Sequence, residues 1–141
     1  MEKEDIYVRL ADLSDLDFLS QDGYLPKDVV KRKIEQKECF ILFVDDQPAG
    51  YLWLDYFWSL LPFITLIQIA EAYQKRNYGR DLLKFVEDTL RKWDFYNLYS
   101  SSQVDDPYMQ AWYRHMGFEE CGIINGINDG GIGEVFFRKH L

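Results

Sequence analysis

The sequence is poor in the residues that build cross-links, metal centres and membrane spans. Of its 141 residues, two are cysteine and two are histidine. Cys39 lies in an apolar run and reads as a core residue. Neither it nor Cys121 has metal-ligand or redox spacing to a partner. His115 and His140 have no cysteine or acid cluster at ligand spacing, so no metal is expected. Long apolar runs are missing too. The longest, Tyr56 to Ala70, is interrupted by Ser59, Pro62 and Gln68 and is shorter than the ~20 residues a spanning helix needs. Met1-Glu2-Lys3-Glu4-Asp5 is charged and has no apolar signal core. Basic residues are in the minority, 16 Lys and Arg against 24 Asp and Glu, for a net charge of -8. That balance disfavours nonspecific nucleic-acid binding, which needs a broad basic face. It favours a cationic partner such as an amine. The expectation is a cytoplasmic protein with neither a membrane nor a nucleic-acid partner.

What is present is a globular composition, 48% apolar and 17% aromatic. The length suits one domain, 1–141, able to bury a core without staples. Large rings fill cores and also line clefts for small molecules. No internal repeat or low-complexity tract interrupts the chain.

Ile6 to Leu10 is a strand candidate. Asp12 to Ser20 offers caps and a short helix, and Pro26 can open a second helix reaching about Gln36. Cys39 to Val44 is a continuous apolar run and predicts a buried strand. Asp45 to Pro48 is a turn, and Ala49 to Tyr56 the returning strand of a hairpin. Trp58 to Pro62 breaks the pattern. Phe63 to Ile69 is apolar on both faces, which predicts a central strand. Tyr78 to Trp93 is the clearest helix, with Leu82, Leu83, Val86, Leu90 and Trp93 at helical spacing. Leu98 to Ser101 is a short strand. Asp106 followed by Pro107 starts another helix, which Gly117 ends. Phe118 to Ile124 and Glu134 to His140 are the last strands, joined by a glycine-rich connection. The sum is a mixed α/β sheet with helices packed on it.

Chemistry concentrates between Phe63 and Leu83. A strand runs into Gln74-Lys75-Arg76-Asn77-Tyr78-Gly79-Arg80 and then into the amphipathic helix. A tight turn before a helix leaves several N–H groups without partners, and the helix dipole adds positive charge. Such a place binds phosphate. Lys75, Arg76 and Arg80 cluster there against the acidic trend of the chain. An ordinary helix entry with solvated charges is the plain alternative.

Gln74 to Gly79 resembles the coenzyme-binding signature of the GNAT superfamily of N-acetyltransferases: Gln or Arg, two residues, Gly, one residue, then Gly or Ala. Asn77 stands where glycine is usual, and asparagine tolerates positive φ. A second block, Ala111 to Phe118, resembles the family's aromatic pair on a helix followed by Gly-Phe. The order of elements agrees as well. The resemblance implies a GNAT-like fold: a mixed, mostly antiparallel central sheet flanked by helices, with two central strands splayed at the coenzyme site. The implied cosubstrate is acetyl-CoA, with no metal.

On that resemblance, the diphosphate lies on the amides from Lys75 to Arg80. Backbone groups at Ile67 and Ile69 pair with the pantetheine arm as a sheet edge pairs with an added strand. The thioester sits where the Phe63 to Ile69 strand parts from the Leu98 to Ser101 strand. Tyr113 matches the family's tyrosine near the coenzyme sulfur and is the expected acid to the leaving thiolate; otherwise it is a core aromatic. Asp106 occupies the place of an asparagine that contacts the coenzyme. An ionised aspartate cannot donate, so helix capping is its plainer role. Glu71 and Asp55 are candidate bases, a solvated surface acid being the plainer reading of each, and a water chain is the alternative route for the proton. Tyr24, Tyr56, Phe57 and Trp58 are candidates to line a pocket for a small-molecule or peptide amine, or else pack under a loop. The chain is expected as a monomer or homodimer. Two rivals stand beside the enzyme: a noncatalytic acyl-CoA-binding or regulatory module on the same fold, and an unrelated α/β interaction domain.

Overall fold

A computed structural model of the chain describes residues 4–141. Seven strands form one sheet in the order β1-β2-β3-β4-β5-β7-β6. The strands are β1 (Ile6–Leu10), β2 (Cys39–Val44), β3 (Gln47–Phe57), β4 (Leu61–Ile69), β5 (Asn97–Gln103), β6 (Glu119–Ile124) and β7 (Glu134–His140). The helices are α1 (Leu16–Leu19), α2 (Lys27–Glu35), α3 (Tyr78–Lys92) and α4 (Pro107–His115). This is the expected mixed, mostly antiparallel architecture. The β4–β5 pair is parallel, while β1–β2, β2–β3, β5–β7 and β6–β7 are antiparallel. The chain divides into two compact units. One takes in the chain up to Leu54 together with Leu66–Val86, and the other Asp55–Thr65 with Glu87–Leu141.

In the first unit, every residue of β2 is buried, as its unbroken apolar run requires. Because side chains alternate along a strand, Cys39, Ile41 and Phe43 join Ala11, Leu19, Val30, Ile34, Tyr51 and Trp53 in one core. On the opposite side Phe40 meets Phe85 of α3, ring centroids 6.2 Å apart. The hairpin from β2 to β3 turns on Asp45 and Asp46, with φ of 48° and 65°. Two left-handed residues are what a twist-matched two-residue turn needs, so β3 begins at Gln47, earlier than expected. Lys33 of α2 is buried, and its Nζ donates to Leu54 O at 2.8 Å.

The short capped helix expected from Asp12 to Ser20 is present as a capped 3-10 turn plus a single helical turn. The Asp12 side chain accepts from Ser14 N, and Asp15 Oδ2 accepts from Asp12 N, which closes the turn within three residues. The break after β3 is tighter than Trp58 to Pro62. Trp58 and Ser59 take φ of 53° and 62°, Leu60 N donates to Phe57 O at 2.9 Å, and Pro62 lies inside β4. β4 is central as expected, fourth of the seven strands, although Thr65 and Gln68 are exposed and Leu66, Ile67 and Ile69 half-buried. The reason is its partner, since β4 pairs with β5 at Phe63↔Tyr99.

In the second unit, β5 is the inner strand and alternates strictly. Leu98, Ser100 and Ser102 are buried, and Asn97, Tyr99 and Ser101 are half-buried. Val135 and Phe137 of β7 share the buried face with Tyr113 of α4 and Phe118. Glu87 on α3 is 5% exposed. Lys139 Nζ reaches its two carboxylate oxygens at 3.1 and 2.9 Å, so the buried charge is paired.

Candidate active site

In the first unit, β4 ends at Ile69. Ala70 N donates to Ala49 O at 2.8 Å, and a 3-10 turn (Glu71–Tyr73) leads into Gln74. Lys75 and Asn77 both have φ of 64°. Asn77 thus takes the positive φ that its glycine-like place in the signature demands, and Lys75 adds a second left-handed residue. Alternating handedness turns successive N–H groups toward one concavity, a nest that suits an anion. The amides from Lys75 to Arg80 donate to no backbone carbonyl among the described residues. Asp81 is the first to do so, to Asn77 O at 3.3 Å. Such amides need a partner from water or ligand.

The side chains around this turn divide. Gln74 Nε2 donates to Ile69 O at 2.9 Å, which ties the turn to the end of β4 and takes one lone pair of that carbonyl. Arg76 is held by Glu4 at 2.7 Å. Lys75 and Arg80 are exposed and make no ion pair among the described residues. Tyr78 is 4% exposed and packs near Tyr73, centroids 6.5 Å apart, so it anchors the helix. Gly79 is half-buried behind it. Ile67 and Ile69 are half-buried on the exposed part of β4. Glu71 is exposed on the 3-10 turn.

Gly50 on β3 shows why this strand end is fixed. A Cβ there would come within 2.6 Å of Ile69 Cδ1 and 2.8 Å of Gln68 O. Only glycine lets β3 approach the backbone of β4 so closely. Tyr24 is 64% exposed and meets Trp53 edge-on at 6.4 Å. Beside it, the Tyr51 hydroxyl donates to Asp22. Burial, and then Asp22, pushes the Tyr51 phenol up.

In the second unit, Tyr113 is 3% exposed. It packs against Phe118 at 5.3 Å, Phe137 at 5.6 Å and Trp112 at 5.3 Å. Burial pushes its phenol well up. Ser100 opposes that rise and the Glu134 charge adds to it. Among the described residues, the buried Ser100 and Ser102 hydroxyls have no hydrogen-bond partner of ordinary geometry. Asp106 caps α4, accepting from Met109 N at 3.1 Å. Asp55 is exposed and accepts from Thr65 Oγ1.

The aromatic candidates around the β3–β4 hairpin divide between two groups. Tyr56 packs on Phe95 at 5.6 Å. Phe57 stands with Trp58 at 6.3 Å, although Trp58 is 82% exposed in the turn, and with Phe63 at 4.8 Å, Tyr99 at 5.7 Å and Phe136 at 6.1 Å. Neighbours along a strand point to opposite faces, which separates Tyr56 from Phe57. One group escaped the sequence reading. Ser101 Oγ donates to Glu134 Oε2 at 2.6 Å, and Asn128 Nδ2 to Glu134 Oε1 at 2.9 Å. Serine and glutamate are 33 residues apart, and no local pattern announces them.

β4 meets β5 in parallel at Phe63↔Tyr99 and itself runs on to the turn with two left-handed residues that opens α3. A model of the acetyltransferase (GNAT) family matches residues 7–118. The chain belongs to that family, whose members carry out acetyl-CoA-dependent acetylation, and it is an acyltransferase by membership. Solved structures agree on the fold. A GNAT-family acetyltransferase from Bacillus cereus is 23% identical with a TM-score of 0.77, covering 96% of each chain. The ribosomal-protein-S18-alanine N-acetyltransferase of Escherichia coli is 17% identical with a TM-score of 0.80, covering 96% of this chain and 93% of that one. The ribosomal-protein-alanine N-acetyltransferase of Brucella melitensis is 18% identical with a TM-score of 0.82, covering 96% and 99%. No curated protein matches the sequence. Among the described residues no group of three or more His, Cys, Asp or Glu is placed to hold a metal. Among the described residues no helix is long and apolar enough to cross a membrane.

Proposed function

We propose that the chain is an N-acetyltransferase. It moves the acetyl group of acetyl-CoA to a primary amine of a small molecule or peptide by direct attack, with 1–141 acting as one domain. The observation that carries this is the turn at Lys75 to Arg80, with two left-handed residues and a run of amides that lack backbone acceptors. The diphosphate of the coenzyme supplies the acceptors those amides lack. Lys75 and Arg80 add positive charge from the rim, and Ile67 and Ile69 offer backbone groups to the pantetheine arm. Two of the structures with this fold are named as alanine N-acetyltransferases of ribosomal proteins. That favours a peptide amine among the acceptors. Two free cysteines, one of them exposed, suit a reducing, cytoplasmic setting.

In this reading Tyr113 serves the leaving group. Its phenol stays protonated through the neutral range, so it always holds a proton for the departing sulfur. The same burial makes a phenolate costly. Donation therefore begins as a hydrogen bond to sulfur and completes as the C–S bond breaks. Asp106 supports α4, and thereby Tyr113, through its cap. Asp55 and Glu71 are exposed acids near the ends of β3 and β4 and stand as the candidate bases for the attacking amine.

Calorimetry with acetyl-CoA tests the coenzyme site, and thiol release across a panel of primary amines and short peptides tests the enzyme. We expect binding and amine-dependent release. Binding without release would favour the noncatalytic acyl-CoA module, and absence of binding would sink both. Tyr113→Phe should lower turnover with little change in coenzyme affinity. Unchanged turnover removes Tyr113 from the mechanism.

A further inference from the structure

The basic turn that opens α3 meets an anion supplied by the chain itself. Lys75, Arg76 and Arg80 stand there. Lys75 and Arg80 make no ion pair among the described residues, whereas Arg76 Nη1 meets Glu4 Oε1 at 2.7 Å. The two partners are 72 residues apart in sequence, and both lie in the first compact unit. The chain has 24 acidic residues, yet among the described residues Glu4 is the acid that pairs with a cation of this turn.

Backbone holds this contact from both ends. Asp5, the neighbour of Glu4, is tied twice to Asp45 in the β2–β3 turn. Its amide donates to Asp45 Oδ1 at 2.9 Å, and its carbonyl accepts from Asp45 N at 2.8 Å. β1 then starts at Ile6, paired with Val44. At the other end Arg76 stands between two left-handed residues, Lys75 and Asn77, each with φ of 64°. An exposed ion pair ordinarily gains little, because two long side chains must give up their freedom. Here both backbones are fixed beforehand, so less freedom remains to be lost.

The chemistry of the pair is that of the ligand the turn suits. A guanidinium meets a carboxylate and a phosphate through the same charge-assisted hydrogen bonds. The amide of Arg76 belongs to the run that lacks backbone acceptors. Its guanidinium therefore starts within one side chain's length of whatever those amides hold. A phosphate seated there meets a cation whose charge Glu4 already offsets. It also meets the field of the carboxylate itself, worth about 1 kcal/mol per unit charge at 4 Å in water and less farther off. Lys75 and Arg80 are not opposed in this way.

We propose that Glu4 is a positioning residue that competes with the phosphates of the coenzyme for Arg76, and so sets the affinity for acetyl-CoA. The inference rests on the acetyltransferase reading above. Lys75 and Arg80 supply the first attraction. Arg76 then passes from the carboxylate to a phosphate, and the residues before β1 lose their tie to the turn. Linkage makes the effect reciprocal. Whatever holds Glu4 on Arg76 weakens the coenzyme's hold, and the bound coenzyme loosens Glu4 by the same factor.

The test is calorimetry on the full chain, Glu4→Gln, Arg76→Gln and the double variant, at low and high salt. Acetyl-CoA is the first probe and acetyl-pantetheine, which lacks the diphosphate, the second. Glu4→Gln keeps the shape of the side chain and removes its charge. It should bind acetyl-CoA roughly three- to fivefold more tightly at low salt, the worth of an exposed ion pair. The gain should fade toward 1 M salt, where the Debye length is about 3 Å. In the Arg76→Gln background the same change should give little of that gain, and acetyl-pantetheine should show none. Acetyl-CoA affinity that is unchanged or weaker in Glu4→Gln overturns the inference and leaves the acetyltransferase reading intact. So does a gain equally large in the Arg76→Gln background or with acetyl-pantetheine, which would mark a general effect of charge. A wild-type chain that does not bind acetyl-CoA overturns that reading and the inference with it.

Discussion

Asn77 offers the sharpest test of the coenzyme turn. Its φ is 64°, in the left-handed region, where an ordinary L-residue carries roughly 1–2 kcal/mol of strain and asparagine less. Asn77→Val places a β-branched side chain there and should meet the upper part of that range. The cost can appear in two ways. If the fold holds the turn, the protein loses stability, with Tm falling by roughly 3 °C for each kcal/mol. If the turn relaxes, the amides lose their common aim and coenzyme affinity falls, tenfold for every ~1.4 kcal/mol. The two losses together should amount to about 1–2 kcal/mol. Asn77→Gly removes the strain and should hold affinity within a few-fold, at an entropic cost of up to about 1 kcal/mol from the unfolded chain. Thermal melts with and without acetyl-CoA, together with calorimetry, separate the terms. A valine variant that matches wild type in both Tm and affinity would refute the argument that the left-handed turn matters.

Two further outcomes follow from the packing. Lys139→Met leaves the Glu87 carboxylate buried with Arg91 at 3.9 Å as its nearest cation, and should cost about 3 kcal/mol in urea unfolding. Adding Glu87→Leu should recover most of it, and failure of that double variant to recover would point to packing instead of charge. Tyr51 and Tyr113 both have phenols raised by burial. Above about pH 10 the unfolded chain ionises these phenols and the folded chain does not, so the native state binds more protons and stability must fall as pH rises. The slope per tyrosine is about 1.4 kcal/mol per pH unit, and Tyr51→Phe should make the fall shallower. Stability that stays flat between pH 10 and 11 would contradict the burial of both hydroxyls.

Local rules made much of the chain legible. Cys39–Val44 and Glu134–His140 were readable to the residue because an apolar run and an alternating run end at turn chemistry. Asp106-Pro107 marked the start of α4 because cap and proline act within one turn. Asn77 is placed by the resemblance to the coenzyme signature, and its tolerance of positive φ explains how it stands in for glycine there. What stayed hidden depends on contacts distant in sequence. The Trp58-Ser59 turn uses two left-handed residues without glycine, so no signature marks it and the local pattern overextends the break. The partial exposure of β4 follows from where β5 stops pairing with it, which apolar content does not encode. Glu134 meets Ser101 through the antiparallel register of β5 and β7, and Asn128 joins them from a connection read as a mere turn.

Backbone amide resonances of isotopically labelled protein, titrated with acetyl-CoA and in parallel with acetyl-pantetheine, which lacks the diphosphate, weigh the coenzyme nest most directly. Lys75 to Arg80 should shift together with the first ligand and stay in place with the second. Saturating acetyl-CoA that leaves those six amides unmoved while others respond would show that the phosphates rest elsewhere.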